Sequence, residues 1–311
     1  MENKNYQEKL NAVISEVKKV IFGKDEVISA ILTALISGGH VLLEDIPGVG
    51  KTTLALAFSK ALSFEYHRMQ FTPDVMPADV TGFSMFNKNT NEFEYRQGAV
   101  MCNLFLADEI NRTSPKTQSA LLEVMEEGRV TVDGVNHILP QPFFVIATQN
   151  PLGSAGTQKL PESQLDRFMV KLTMGYPDPA SEADMLKGEN RSRMDEVEQI
   201  LNLEEIREIQ KVSNDLFVDD KIYEYIAALS LKSRQSEWLK SGISPRGAKA
   251  VLRMARSNAL LQNRDYVIPE DILSVFTMTC SHRVTLSAKA KAAGKTEEEV
   301  MAQIKTLVPM P

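Results

Sequence analysis

Residues 42–56 read LLEDIPGVGKTTLAL, and this stretch decides the fold class. It matches the phosphate-loop pattern GxxxxGK(S/T) at Gly50, Lys51 and Thr52, but Asp45 stands where the pattern has its first glycine. A loop of this kind binds an anion through backbone N–H groups at the start of a helix, and a lysine and a hydroxyl complete the site. Because Asp accepts unusual backbone angles better than most residues do, we interpret Asp45 as a turn residue. The alternative is an accidental loop between a strand and a helix.

The sequence on either side of the loop has the pattern that a phosphate loop requires. VLLE at 41–44 predicts a short buried strand, and TTLALAFSKAL at 52–62 predicts a helix with apolar residues at helical spacing. We therefore expect strand, loop and helix in the order that places a phosphate at a helix N-terminus. The predicted nucleotide-binding residues are Asp45, Ile46, Pro47, Gly48, Val49, Gly50, Lys51, Thr52 and Thr53.

Composition and charge limit the class of protein. With 311 residues and 43% hydrophobic content, the chain can bury the cores of two domains. Its net charge of -6 argues against binding to nucleic acid or to an anionic membrane. The longest apolar-rich run, ISAILTALI at 28–36, is too short to span a bilayer. We therefore expect a soluble, cytoplasmic protein with no intrinsic membrane segment and no nucleic-acid partner. Two distant cysteines and four scattered histidines indicate neither a disulfide nor a zinc site.

The order of the predicted elements indicates two units. Up to about residue 175, helical patterns alternate with five strand-like runs: HVLLE, EYHRMQF, NLFLAD, FFVIAT and DRFMVKLTM. This alternation predicts a parallel α/β sheet sandwiched by helices, with the phosphate loop at its carboxyl edge. YPDP at 176–179 breaks the pattern, and only helical spacing follows it. We predict an α/β nucleotide-binding domain over residues 1–175 and a smaller all-helical domain over residues 176–311.

Two further predicted strands end in polar residues that suit ATP chemistry. NLFLADEIN contains Asp108 and Glu109 at the end of its strand. Asp108 can hold magnesium together with Thr52, and Glu109 can polarise a water for attack on the γ-phosphate. FFVIATQNP contains Asn150, which can help to orient that water. The alternatives are that the acidic pair only caps a strand and that Asn150 only forms a turn.

Two arginines complete the candidate site. Arg167 precedes an apolar run, and Arg246 lies in the first turn of a helix whose Ser244 and Pro245 have the pattern of a cap and first residue. A cation in the first turn of a helix opposes the helix dipole, so Arg246 indicates a nearby anion. If Arg167 cannot reach the nucleotide of its own subunit, it must serve a neighbour's. Surface salt bridges are the alternative for both arginines.

Taken in order, these motifs resemble the MoxR family of AAA+ ATPases. In that family an acid commonly stands at the entrance of the loop, which accounts for Asp45. Where the family often has Gly-Pro before the Walker B strand, this chain has Gln97, Gly98 and Ala99, a difference that could alter what the protein engages. The resemblance covers most of the chain and is carried by LLEDIPGVGKT, MQFTPDVMPADVTG, LADEINRTSPKTQSALLEVMEEGRVTVDG, FFVIATQNP, LPESQLDRFM, SPRGAKAVL, LLQNRDYVIPEDI and VPMP.

The resemblance implies a role for each candidate residue. It implies ATP and Mg2+ as cofactors and a homo-oligomeric ring, usually a hexamer, because the arginine finger works across subunits. Members of the family are thought to remodel or mature protein complexes, often with a partner that carries a von Willebrand factor A domain, so a protein client is expected. The implied site is Walker A at Gly48 to Thr52, Walker B at Asp108 and Glu109, sensor 1 at Asn150, an arginine finger at Arg167 and sensor 2 at Arg246.

Two segments depart from the alternation of helix and strand. Residues 72–98 interrupt it, and they resemble the insert that this branch of AAA+ proteins carries after the second strand. RVTVDGVNHIL at 129–139 alternates about Asp133 and Gly134, which predicts a β-hairpin. In related rings such devices face the pore or the client. Packing on the same subunit is the alternative.

The resulting hypothesis is an oligomeric, magnesium-dependent ATPase that converts hydrolysis into movement between the sheet domain and the helical lid. In this hypothesis Lys51, Thr52 and Asp108 bind nucleotide and metal, and Arg246 senses the γ-phosphate. A non-hydrolysing nucleotide switch or scaffold and a magnesium chelatase motor subunit are alternatives. A DNA motor or transcription activator is a third, which the charge balance disfavours.

Overall fold

Five parallel strands form the central sheet of the protein. The structure is a computed structural model that describes residues 6–46, 48–150, 160–177, 179–186 and 193–311. The sheet has the order β2-β5-β8-β1-β9, which confirms the predicted parallel α/β class. In chain order the strands are β1 (Val41–Glu44), β2 (Tyr66–Gln70), β3 (Gly82–Asn87), β4 (Glu92–Gln97), β5 (Leu104–Asp108), β6 (Arg129–Val132), β7 (Val135–Ile138), β8 (Phe144–Gln149), β9 (Val170–Leu172), β10 (Leu239–Ser241) and β11 (Thr285–Leu286).

Helices connect the sheet strands and make up most of the chain after residue 176. Within the described residues, no helix is long and apolar enough to cross a membrane. The helices are α1 (Tyr6–Lys18), α2 (Asp25–Ile36), α3 (Lys51–Ala61), α4 (Pro77–Thr81), α5 (Pro115–Glu127), α6 (Glu162–Leu165), α7 (Pro179–Leu186), α8 (Leu203–Asp215), α9 (Asp220–Arg234), α10 (Pro245–Leu261), α11 (Pro269–Cys280), α12 (Ala288–Ala292) and α13 (Glu297–Thr306).

Both faces of the sheet are buried, because successive side chains of a strand point to opposite faces. In β5, Leu104 and Leu106 join one core cluster, whereas Phe105 and Ala107 join the other. The first cluster also contains residues of α1, α2 and α3, and the second contains residues of α4 and α5. The sheet is therefore sandwiched by helices, as the sequence predicts.

The segment after residue 176 is helical, as predicted, and it shares the first core cluster with the sheet. We call the segment after residue 176 the lid. The N-terminal helices α1 and α2 pack against α10 of the lid. The lid also contains one short antiparallel pair, β10 with β11, in which Leu239 lies opposite Leu286. Strands of two or three residues are too short to leave a period in the sequence. The boundary at residue 175 stays a prediction.

Two hairpins project from the sheet-containing part. In the first, α4 leads into β3 and β4. The rings of Phe86 and Phe93 pack edge to face, with their centroids 5.4 Å apart. In the second, β6 and β7 pair about Asp133 and Gly134, whose φ angles of 49° and 79° match the turns that favour two-residue hairpins. The ring of Tyr95 in β4 stacks at 3.7 Å on a histidine of β7, so the two hairpins contact each other.

A buried cation joins the lid to the segment before β9. The side chain of Arg283, which lies between α11 and β11, is only 2% exposed. Its guanidinium pairs with the carboxylate of Asp166 and donates at 2.6 Å to the carbonyl oxygens of Asp166 and Phe168. Because a buried charge without a partner is costly, Asp166 is required to keep Arg283 inside.

We expect Asp166→Ala to destabilise the protein by about 3 kcal/mol, since it leaves the Arg283 guanidinium buried without its counterion. Urea unfolding followed by circular dichroism measures this change in the free energy of unfolding. Glu237→Ala is the matched control, because the ion pair of Glu237 with Lys289 is exposed on both sides and contributes less than about 1 kcal/mol. Equal losses in the two variants would contradict the role of Asp166.

Candidate active site

The loop between β1 and α3 has the backbone conformation of an anion-binding turn. Gly48 and Gly50 have φ angles of 88° and 92°, which side-chain-bearing residues rarely adopt. Gly50 caps α3, so the first N–H groups of that helix face the loop. Thr52 and Thr53 lie half-buried in the first turn of α3. Pro47, in the middle of the loop, lies outside the described residues.

Asp45 is held by backbone N–H groups within the protein. It is 4% exposed, and its carboxylate accepts hydrogen bonds from the backbone N–H groups of Ile46, Met174 and Gly175. These bonds fasten the entrance of the loop to the chain that follows β9. Because both carboxylate oxygens have donors, the negative charge of Asp45 is compensated where it stands.

Lys51 lies buried inside the loop and contacts its carbonyl groups. It is 8% exposed, and its ammonium donates to the carbonyl oxygens of Asp45 at 3.0 Å and Ile46 at 3.3 Å. Burial lowers the pKa of Lys51, and the negative charges of Asp45, Asp108 and Glu109 oppose that shift. The Lys51 ammonium is therefore placed between the loop and the acids that end β5.

Asp108, the last residue of β5, has a partner for each carboxylate oxygen. Oδ1 accepts from the hydroxyl of Thr148 at 2.6 Å, and Oδ2 accepts from the guanidinium of Arg68 at 2.7 Å. The Thr148 hydroxyl also accepts from the backbone N–H of Glu109 at 2.8 Å. One hydroxyl of β8 thus fixes both acidic residues relative to the neighbouring strand.

Glu109 is held by three side chains in a backbone conformation that is uncommon for its type, with φ at 58°. Its Oε1 accepts from Asn150 at 2.8 Å, and its Oε2 accepts from Gln70 at 3.0 Å and Arg112 at 2.7 Å. Burial alone would raise the pKa of this carboxyl group. The hydrogen bonds from the three partners, with the charge of Arg112, outweigh burial and hold the pKa below its ordinary value.

Asn150 presents an unused acceptor beside Glu109. Its amide nitrogen donates to Glu109, and its backbone is braced on both sides by the side chain of Asn111. The remaining atom, Oδ1, is buried and has no hydrogen-bond partner among the described residues. A buried acceptor of this kind fits a small donor such as water, next to a carboxylate that can accept a proton.

The sequence analysis missed four residues that contact the two acids, Arg68, Gln70, Arg112 and Thr148, and it also missed Asn111 beside Asn150. Arg68 and Gln70 alternate on β2, and Gln70 lies opposite Asp108 in the parallel register. Polar residues at alternate positions near the end of β2 could have identified Arg68 and Gln70 as partners of the acids. That inference requires knowing that β2 pairs with β5. Within the described part of the chain, no three His, Cys, Asp or Glu side chains cluster as a metal site.

The two candidate arginines lie together, away from Lys51. Arg167 donates to the carbonyl oxygen of Leu122 at 2.7 Å and pairs with Glu126 at 3.0 Å. Arg246, in the first turn of α10, pairs with the same Glu126. Both arginines line a cavity of about 430 Å³ together with residues 38–40, which immediately precede β1.

This cavity lies at the amino edge of the sheet, whereas the loop follows the carboxyl end of β1. The four residues of β1 separate the two edges by about 13 Å. One protomer therefore does not bring Arg167 and Arg246 to Lys51. The cavity is strongly cationic, because five cations and two acids line it. His40 adds no charge, since burial lowers the pKa of its ring to about 4. Its charged lining residues are Arg167, Arg246, Lys249, Arg253 and Arg283, with Glu126 and Asp166 as the acids.

Comparison with known proteins identifies two modules in the chain. Residues 40–170 match the ATPase family associated with various cellular activities (AAA), and residues 231–304 match the AAA lid domain. A crystal structure of a protein from Cytophaga hutchinsonii superposes with a TM-score of 0.91 at 36% identity, covering 99% of this chain and 97% of that one. The two modules coincide with the loop-bearing sheet and with most of the lid.

Relatives of known sequence cover nearly the whole chain. The "Uncharacterized protein YeaC" of Bacillus subtilis (strain 168) is 47% identical and covers 98% of this chain and 97% of its own length. "Chaperone MoxR1" of Mycobacterium tuberculosis is 37% identical, over 97% of this chain and 82% of its own length. An AAA ATPase domain implies nucleotide binding. With these similarities across both modules, the chain belongs to the MoxR family of AAA ATPases.

Proposed function

We propose that this protein is a magnesium-dependent ATPase that drives remodelling or maturation of protein complexes. The observation that carries the proposal is the contact between Glu109 and Asn150 beside the Lys51 loop. A carboxylate with a lowered pKa is ionised at neutral pH, so Glu109 is available to accept a proton from water. The Oδ1 of Asn150, which has no hydrogen-bond partner in the described part of the chain, is available to hold that water.

The loop residues bind the triphosphate in this proposal. Backbone N–H groups at Gly48 to Lys51 and the Lys51 ammonium would receive the outer phosphates, and the phosphates would take the place of the carbonyl oxygens of Asp45 and Ile46 as partners of the ammonium. Thr52 and Asp108 would hold Mg2+, which neutralises charge on the β- and γ-phosphates. One or two protein oxygens suffice for this ion when phosphates supply other ligands.

From β2, Arg68 and Gln70 restrain the two acids. Arg68 occupies one oxygen of Asp108, and Gln70 occupies one oxygen of Glu109. Because both come from β2, a small shift of that edge strand would change both acids together. We therefore infer that the activity of the site depends on what contacts β2 and the hairpin that follows it.

Arg167 and Arg246 act on the nucleotide of a neighbouring protomer in this proposal. Their place at the amino edge of the sheet, opposite the loop, supports action between subunits. A transition-state arginine accelerates phosphoryl transfer by roughly a thousandfold or more, so an isolated protomer would be nearly inactive. We therefore infer a closed ring, and we retain the hexamer as its expected size.

The work done by the ring is proposed to be chaperone-like. One relative bears the name "Chaperone MoxR1", and the first hairpin exposes Phe83, Phe86 and Phe93 to solvent. Exposed aromatic side chains of this density suit contact with a protein client. A partner with a von Willebrand factor A domain and a cytoplasmic location remain predictions from the family resemblance.

We expect Glu109→Gln to bind ATP normally and to lower turnover by at least roughly a hundredfold, because it removes the proton acceptor but keeps the shape of the side chain. Phosphate release measures turnover, and equilibrium binding of a fluorescent ATP analogue measures affinity. Glu65→Gln is a matched control, since Glu65 is exposed and lies before the opposite end of β2. Wild-type turnover in Glu109→Gln would remove Glu109 from its role.

We expect Arg167→Ala to bind ATP and to be nearly inactive alone, and to recover activity when mixed with inactive Lys51→Ala protein. In mixed rings, Lys51→Ala protomers provide an intact Arg167 to sites that still have Lys51. Arg207→Ala, which changes an exposed arginine of α8, is the control and should match the wild type. Absence of recovery after confirmed subunit exchange would contradict action between subunits.

Turnover per protomer of the wild type, measured with Mg2+ over a wide range of protein concentration, tests the activity itself. A steep rise with concentration supports sites completed by neighbours. A complete lack of turnover at every concentration would exclude hydrolysis by the protein alone and favour a nucleotide switch.

A further inference from the structure

One carboxylate contacts both candidate arginines. Glu126 lies in the last turn of α5, and each of its two oxygens pairs with a different guanidinium: Oε2 with Arg167 at 3.0 Å and Oε1 with Arg246. The two arginines come from distant parts of the chain, one from the segment before β9 and the other from the lid. Glu126 is therefore the point at which the sheet and lid arginines meet.

The two arginines depend on Glu126 to different degrees. Arg167 has a second anchor, the carbonyl oxygen of Leu122 one turn earlier on the same helix α5. The side chain of Arg246 is 47% exposed, and among the described residues the one hydrogen bond of its guanidinium goes to Glu126. Without that carboxylate, the two guanidinium groups would repel each other, and the more exposed Arg246 would turn toward solvent.

The energy of these ion pairs is small, because Glu126 and both arginines are partly exposed to water. Their main effect is therefore on geometry. The pairs use Nη1 of Arg167 and Nη2 of Arg246, and a guanidinium has five N–H donors, so donors remain for a second anion. Glu126 lines the cationic cavity at the amino edge. It therefore lies where the second anion would enter.

We propose that Glu126 is a positioning residue that holds Arg167 and Arg246 side by side for a phosphate of the nucleotide bound to a neighbouring protomer. This inference rests on the proposed ATPase function and on action between subunits. A single shared carboxylate sets the separation of the two guanidinium groups, so both can reach one phosphate group without rearrangement of the lid. Such preorganisation is expected to affect turnover more than nucleotide binding.

We expect Glu126→Gln to lower kcat roughly ten- to a hundredfold, since a misplacement of about 1 Å can cost that much. Its affinity for ATP should stay at the wild-type value, because the binding loop lies at the other edge of the sheet. Glu127→Gln is a closely matched control: it changes the same residue type one position later on α5, and Glu127 pairs with Arg129 instead. Its kcat should match that of the wild type.

Subunit mixing separates positioning from damage to the fold. Glu126→Gln protein mixed with Lys51→Ala protein should regain activity, because the Lys51→Ala protomers present an intact Glu126 cluster to the neighbouring sites. The double variant Lys51→Ala, Glu126→Gln should give no such recovery. The urea unfolding midpoint of Glu126→Gln, measured beside these assays, should equal that of Glu127→Gln.

Three results would overturn the role of Glu126 while leaving the ATPase proposal intact. They are an unchanged kcat, a kcat above the wild type, and a lowered kcat that mixing does not restore. A higher kcat would mean that Glu126 competes with the phosphate for the arginines. Wild-type protein without turnover would instead overturn the proposed function, and Glu126 would lose its role with it.

Discussion

The backbone register of β5, β8 and β1 is the constraint on which the site depends. Parallel pairing sets Ala107 opposite Ala147 and Leu43 opposite Thr148, so the three strands end at the same edge. The acids after β5, the polar end of β8 and the loop after β1 are therefore neighbours in space although they are far apart in sequence. A slip of one residue in β8 would turn the Thr148 hydroxyl away from both acids and into the opposite core.

The same sheet separates two parts of the proposed site by the length of a strand. At the carboxyl edge, the carboxylate oxygens of Asp108 and Glu109 are all occupied by donors from neighbouring parts of the chain. The amino edge has a cavity lined mainly by cations, which Glu126 and Asp166 only partly neutralise. Because the two edges face opposite ways, the proposed reaction joins their chemistry between two adjoining copies of the chain. Assembly is therefore part of the proposal.

The lid is bound to the sheet by apolar packing and by two acid–arginine contacts of different strength. Arg283 is buried against Asp166, which makes that contact costly to break. Arg246 and Glu126 are both exposed in part, so their contact can open at low cost. The first contact is thus suited to permanent attachment of the lid, and the second to positioning Arg246 at little energetic cost. The difference follows from burial and from the two carbonyl oxygens that also accept from Arg283.

The sequence by itself determined the parallel α/β class, the helical lid and the order of the motifs, because hydrophobic period and loop chemistry are local properties. It also singled out Lys51, Asp108, Glu109 and Asn150, each of which begins a helix or lies at or just after the end of a strand. Only the tertiary structure decided that Arg68, Gln70 and Thr148 hold the acids and that Glu126 joins two arginines at the opposite edge. These contacts depend on which strands pair and on where the lid packs, and long-range packing of that kind leaves no local pattern in the chain.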